Sequence, residues 1–163
     1  MASLDRLQEF AKTISSGAFG LVKHQPEPWA EPMMCFRNLQ TKVARDGGRA
    51  VNGWVFQAKG AEFGEYFIAT HHAVWLAPNG TFLDVTPFHS NENNHPLSEN
   101  GCPYYLIDDD ARPATVRAVP FALASKFFPA TNSPVLMAYV KTLTRKEHER
   151  CDFFYKRHVV VNS

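Results

Sequence analysis

Residues 66–87 read Tyr66-Phe-Ile-Ala-Thr-His-His-Ala-Val-Trp-Leu-Ala-Pro-Asn-Gly-Thr-Phe-Leu-Asp-Val-Thr-Pro87, two β-like runs joined by a turn. The runs are Tyr66 to Leu76 and Thr81 to Val85, rich in β-branched and aromatic residues. Between them stands Ala77-Pro78-Asn79-Gly80. Pro at the second turn position, Asn at the third and Gly next predict a type I turn closed by a left-handed glycine, a three-residue hairpin loop. Ala77 then opposes Thr81, and Asp84 opposes Val74. Side chains alternate along a strand, so His71 and His72 point to opposite faces, and Asp84 shares the face of His72. The diagonal from His72 to Asp84 spans about 5–8 Å between Cβ atoms, within reach of an imidazole and a carboxylate. A two-residue loop would reverse the parity and select His71.

Upstream of this hairpin, Leu4, Leu7, Phe10, Ala11 and Ile14 form one face of a helix capped by Ser3 and followed by Gly17. Three prolines in Gln25 to Pro32 forbid regular structure. Pro32 suits a first helical turn and predicts a second helix over Pro32 to Arg45, stopped by Gly47-Gly48. Cys35 falls in its first turn, and a strand is expected over Arg49 to Gln57. Downstream, His89 to Pro103 reads as a long loop, a class that often binds partners. A strand over Tyr104 to Ile107, an acidic turn at Asp108 to Asp110, and a helix from Ser133-Pro134 to about Cys151 follow. Phe153 to Val161 is expected to be a final strand. The chain divides into 1–31, 32–87, 88–103 and 104–163 within one domain.

The residues that can carry chemistry are Cys35, His72 and Asp84. A thiol at a helix N-terminus feels the positive end of the macrodipole, which favours the thiolate. An imidazole beside it can take and return a proton, and a carboxylate on the far ring nitrogen fixes tautomer and orientation. Asp84 in an otherwise apolar strand needs a partner, because an unpaired half-buried carboxylate is costly. The backbone N–H of Cys35 is a candidate oxyanion donor, with the side-chain amides of Gln25 and Asn38 as alternatives.

Cys35 at a helix start, the strand His72-Ala-Val-Trp75 and the strand Phe82-Leu-Asp84-Val-Thr86-Pro87 resemble the transglutaminase-like branch of the papain-like cysteine enzymes, which includes the arylamine N-acetyltransferases. The resemblance spans about Pro32 to Pro87. It implies an α+β fold with a nucleophile-bearing helix packed on an antiparallel sheet and flanking helices at both ends. It also implies Cys35 as nucleophile, His72 as base and acid, and Asp84 as orienter. The expected activity is that of a cysteine hydrolase or acyltransferase on an amide or ester bond, through a thioester. Its substrate would contain an amide or ester, a protein side chain or peptide among the candidates, and no cofactor is expected. A non-catalytic binding module on the same scaffold, holding a partner with the 89–103 loop, is the alternative, and a zinc-binding protein ranks below it.

Composition narrows the remaining classes. The 163 residues include 45% hydrophobic, 13% aromatic and 20% charged residues, a globular profile long enough for a real core. With 17 Lys and Arg against 16 Asp and Glu, a net charge of +1 gives no field to recruit nucleic acid or an anionic membrane. No apolar stretch reaches transmembrane length, and no signal peptide opens the chain, so a cytoplasmic location is expected. Cys35, Cys102 and Cys151 form no disulfide framework. Cys35, His71, His72, Asp84, His89 and His95 include zinc-ligand types, but in none of the compact ligand spacings, so no metal is assigned.

Overall fold

The computed structural model describes residues 3–159. Its elements, in chain order, are α1 (Leu4–Ile14), β1 (Phe19–Leu21), β2 (Lys23–His24), α2 (Cys35–Asp46), β3 (Arg49–Ala61), β4 (Gly64–Leu76) and β5 (Phe82–Asp84). Then come a 3₁₀ turn (Glu92–Asn94), β6 (Ser98–Glu99), β7 (Cys102–Ile107), β8 (Ala114–Val116), β9 (Val119–Phe121), β10 (Lys126–Pro129) and α3 (Pro134–Val159). The class is α+β.

One sheet runs in the order β1-β7-β3-β4-β5-β2. Every pairing in it is antiparallel except β2 with β5. Its two edge strands, β1 and β2, are separated only by Val22, whose N–H donates to the Pro103 carbonyl at 3.0 Å. The sheet therefore curls until it almost closes, and its inner face holds Val22, Val51, Val55, Val74 and Tyr105. Two helices cover the outer face: α1 sets Leu7, Phe10 and Ala11 on Trp54, Phe56 and Phe67, and α2 sets Leu39 on Ala73 and Trp75.

The long hairpin β3–β4 is the spine. It pairs without interruption from Arg49↔Leu76 to Ala61↔Gly64, beyond the expected strand ends. The opposite edge of β4 is shared. β10 takes Tyr66–Ala69 and β5 takes Trp75–Leu76, so residues 70–74 have no strand partner on that side. This opening lies where α2 begins.

Two expected boundaries are corrected. The second helix starts at Cys35 rather than Pro32. Asn38 exchanges two hydrogen bonds with the Glu31 backbone and holds it outside the helix, and Met33 has a left-handed backbone (φ 65°). The expected final strand over Phe153 to Val161 is helix α3 as far as Val159, and residues 160–163 lie outside the described part. Ion pairs Arg145–Glu149 and Glu147–Arg150 brace this last stretch, and Phe154 packs on Phe121 at 5.0 Å. The 89–103 segment is less loop-like than expected, with a 3₁₀ turn and β6 paired to β7.

Candidate active site

The turn chemistry of Pro78-Asn79-Gly80 places the first two groups. The Gly80 N–H donates to the Ala77 carbonyl at 2.9 Å, Gly80 is left-handed (φ 87°), and Ala77 N–H donates to Thr81 at 2.9 Å. Leu76 therefore faces Phe82 and Trp75 faces Leu83, the register of a three-residue loop. Asp84 comes to the inner face, where its Oδ2 lies 2.9 Å from His72 Nε2. The carboxylate is 2% exposed, and its Oδ1 accepts the Thr86 N–H at 3.1 Å. Both oxygens are thus held, and the imidazole can rotate little.

The thiol comes from the other side of the sheet. Cys35 is the first residue of α2, and its side chain borders the same cleft as His72. With Nε2 engaged by Asp84, Nδ1 is the nitrogen left for sulfur. Burial disfavours an imidazolium here, but the charges of Asp84 and Cys35 and the hydrogen bond to Asp84 outweigh it, and His72 holds its proton well above the usual histidine range. Beneath the ring, Tyr105 stands edge-on at 6.2 Å with its hydroxyl 2.8 Å from the Val51 carbonyl and 3.2 Å from that of His72.

Asn38 serves a different end from the oxyanion role considered for it. Its amide is consumed by the Glu31 backbone and by Thr86 Oγ1 at 3.1 Å, which ties α2 to the segment bearing Asp84. Gln25 is exposed and contributes its backbone N–H to the Asp84 carbonyl at 2.9 Å. The first turn of α2 has no side-chain cap and no acidic residue, and the N–H groups of Cys35, Phe36 and Arg37 have no acceptor among the described residues. They are free to meet negative charge at the thiol.

His71 faces the outer side and is structural. Its Nδ1 accepts the Leu123 N–H at 2.9 Å, so Nε2 carries the proton and donates to the Ala111 carbonyl. Burial pushes its pKa down to about 4, and a neutral ring whose two nitrogens are both engaged is no proton shuttle. Ala111 and Leu123 flank the hairpin β8–β9, so His71 fastens both ends of that flap.

The flap forms one wall of a cleft of about 580 Å³ that opens over Cys35 and His72. Ala118, Val119, Pro120 and Phe121 face Met33, Met34 and Phe36 across it, and Arg37 is the one Lys or Arg in its lining. Met33 is 77% and Val119 52% exposed. Both lips carry backbone strain: Met33 on one side, Arg117 (φ 50°) and Ala118 (φ 64°) in the two-residue flap turn on the other, all left-handed without being glycine. None of residues 89–103 lines this cleft; Leu97 is bonded instead to the Phe56 carbonyl.

Cys102 and Cys151 are free and lie outside the cleft. His89 and His95 bond the backbone of their own loop. Among the described residues no group of three His, Cys, Asp or Glu is placed to hold a metal ion, and no helix is long and apolar enough to cross a membrane. The flap and the Asn38–Thr86 tie escaped the sequence reading, although Asp84-Val-Thr86 carried a trace of the latter: a short polar residue two places after a carboxylate sits where its N–H can bond that carboxylate. No protein-family model, curated protein or solved structure matches the chain.

Proposed function

We propose that this protein is a cysteine hydrolase or acyltransferase, a compact relative of the transglutaminase-like branch of the papain-like enzymes, acting on an amide or ester bond through a thioester on Cys35. One observation carries the reading. A single imidazole is bonded to a buried carboxylate and shares a cleft with a thiol that opens a helix, close enough for the thiol's charge to help hold the imidazole proton.

In this mechanism His72 takes the thiol proton, and the imidazolium is held by Asp84. The Cys35 thiolate attacks the carbonyl carbon, and the oxygen that becomes negative is received by the free N–H groups of the α2 first turn. Collapse of the tetrahedral adduct breaks the bond to the leaving nitrogen or oxygen, which departs with the proton from His72. A water or an acceptor amine then gives a proton to His72 and attacks the thioester, and the thiol is regenerated as the acyl group leaves.

Alkylation by iodoacetamide, followed against pH, tests the reading. An activated Cys35 reacts with a midpoint well below the value of about 8.5 for a free thiol, and His72→Ala moves the midpoint up. Turnover of an activated ester by the wild-type protein drops by about 10²–10⁴-fold in His72→Ala. A wild-type midpoint at the ordinary thiol value, unchanged by His72→Ala, would leave a cleft that binds without chemistry.

A further inference from the structure

The cleft beside Cys35 does not end at Phe36. A second hollow of about 650 Å³ shares Phe36, Gln40 and Pro120 with it and continues past Val43 and Ala44 to Arg112 and Pro113. The two make one groove between α2 and the β8–β9 flap, with Ala50 and Asn52 of β3 at its far end. At about 1.5 Å per helical residue, Cys35 to Ala44 covers on the order of 14 Å, the span of about four residues of extended chain. A small acyl group would occupy only the first hollow.

The lining has a sign. Neither hollow contains an Asp or Glu, whereas Arg37, Arg49 and Arg112 border them. Arg49 is paired with Asp109 at 3.1 Å, but Arg37 and Arg112 have no carboxylate partner among the described residues. A lysine side chain or polyamine entering as acyl acceptor would meet like charge and no counter-ion. Apart from Gln40, Thr70, Asn52 and the two histidines, the rest of the lining is apolar, including the exposed Met33, Met34 and Val119, a composition that favours apolar groups over hydrated ones.

We infer that the groove binds an extended polypeptide segment, with apolar side chains in both hollows, no basic side chain, and acidic residues accommodated beside Arg37 and Arg112. The inference rests on Cys35 being the nucleophile proposed above. It assigns the substrate class as a peptide amide rather than a lysine cross-linking acceptor or a short acyl donor.

A quenched-fluorescent hexapeptide library, with Leu, Glu or Lys placed at each position in turn, tests it on the wild-type protein. Leu should exceed Lys by about tenfold or more in kcat/KM at the residue bearing the attacked carbonyl and at a second position within four residues of it. In Ala44→Glu the preference at the second position alone should shift toward Lys. Equal use of Lys and Leu at both positions overturns the inference, as does turnover of a short p-nitrophenyl ester with no cleavage of any peptide; in both cases activated alkylation of Cys35 leaves the catalytic reading standing. Ordinary thiol reactivity with no turnover of ester or peptide removes the catalytic reading and this inference together.

Discussion

The Asn38 amide donates to Thr86 Oγ1 at 3.1 Å, and through it the helix that begins with Cys35 is fastened to the turn that orients Asp84. Thr86 in turn donates its N–H to Asp84 Oδ1, whose other oxygen faces His72. The helix that bears the sulfur and the carboxylate that holds the imidazole are therefore tied to each other through Asn38 and Thr86. Asn38 is 4% exposed and satisfies both polar atoms of the Glu31 backbone as well. Replacing it with Ala strands the buried Thr86 hydroxyl and removes both bonds to the Glu31 backbone, at a cost of about 1–3 kcal/mol in unfolding free energy. Urea titration measures this loss. The same variant should slow Cys35 alkylation at neutral pH, because the helix start is no longer held against the His72–Asp84 pair.

His72 and Asp84 are expected to set the alkaline side of the stability profile. The folded-state pKa of His72 is raised above its ordinary 6.5, so the folded protein binds this proton more tightly than the unfolded chain. The stabilisation is fully present below about 6.5 and disappears as pH climbs through the folded value. In Asp84→Asn the counter-charge is gone and the imidazole is still buried, so its pKa should fall below that of the wild type. NMR titration of the His72 ring protons reads this directly, and an unchanged midpoint would show that Asp84 does not hold the imidazolium.

His71 governs the acid side. Its pKa falls from 6.5 to about 4 on folding, so the folded state resists protonation that the unfolded chain accepts. Stability is complete above about 6.5 and declines by about 3 kcal/mol as pH drops to about 4, where the loss levels off. Protonation removes the acceptor for the Leu123 N–H, so the flap should loosen first. His71→Gln, whose amide can donate and accept but does not titrate, should flatten this part of the profile. Urea midpoints at pH 7 and pH 4.5 make the comparison, and hydrogen exchange over residues 114–123 reports the flap.

How far the sequence speaks depends on where the determining contacts lie. The β4–β5 register was legible because a Pro-Asn-Gly turn fixes loop length locally, and Leu7, Phe10 and Ala11 recur at helical spacing. The strands β8, β9 and β10 were invisible: three or four residues show no period, and they are held by distant groups, His71 at the Ala111 and Leu123 ends of the flap and Tyr66–Ala69 along β10. Phe153, Phe154 and Tyr155 look like a strand by propensity, but long-range packing of Phe154 and ion pairs spaced three and four apart keep them helical. Which face Cys35 reaches could not be read either. The helix lies outside the sheet and His72 inside, and only the unpaired stretch of β4 joins them.

Gly53 shows how closely the inner face is built beneath His72. A Cβ there would stand 2.0 Å from the Leu106 carbonyl oxygen and 2.7 Å from the Tyr105 hydroxyl. The first atom is backbone in the neighbouring strand and cannot swing away. Gly53→Ala should therefore cost about 1–3 kcal/mol by overpacking, and push the Tyr105 ring toward His72. Thermal unfolding measures the first effect, and a shift of the His72 ring resonances measures the second.

Deleting Asn79 probes the register itself. The remaining Pro78-Gly80 pair can close only a two-residue loop, which advances every later residue of β5 by one position relative to β4. Asp84 then turns to the outer face among Leu39, Ala73 and Trp75, while Leu83 and Val85 turn inward. A carboxylate without a partner in that apolar layer is unfavourable by several kcal/mol, so the hairpin must either fray or unfold. In the variant, circular dichroism should report a lowered unfolding midpoint. His72, deprived of its counter-charge, should titrate below its wild-type value wherever the protein stays folded. Full wild-type stability together with an undisturbed His72 titration would mean that Asp84 reaches the imidazole by some route other than the parity of this hairpin.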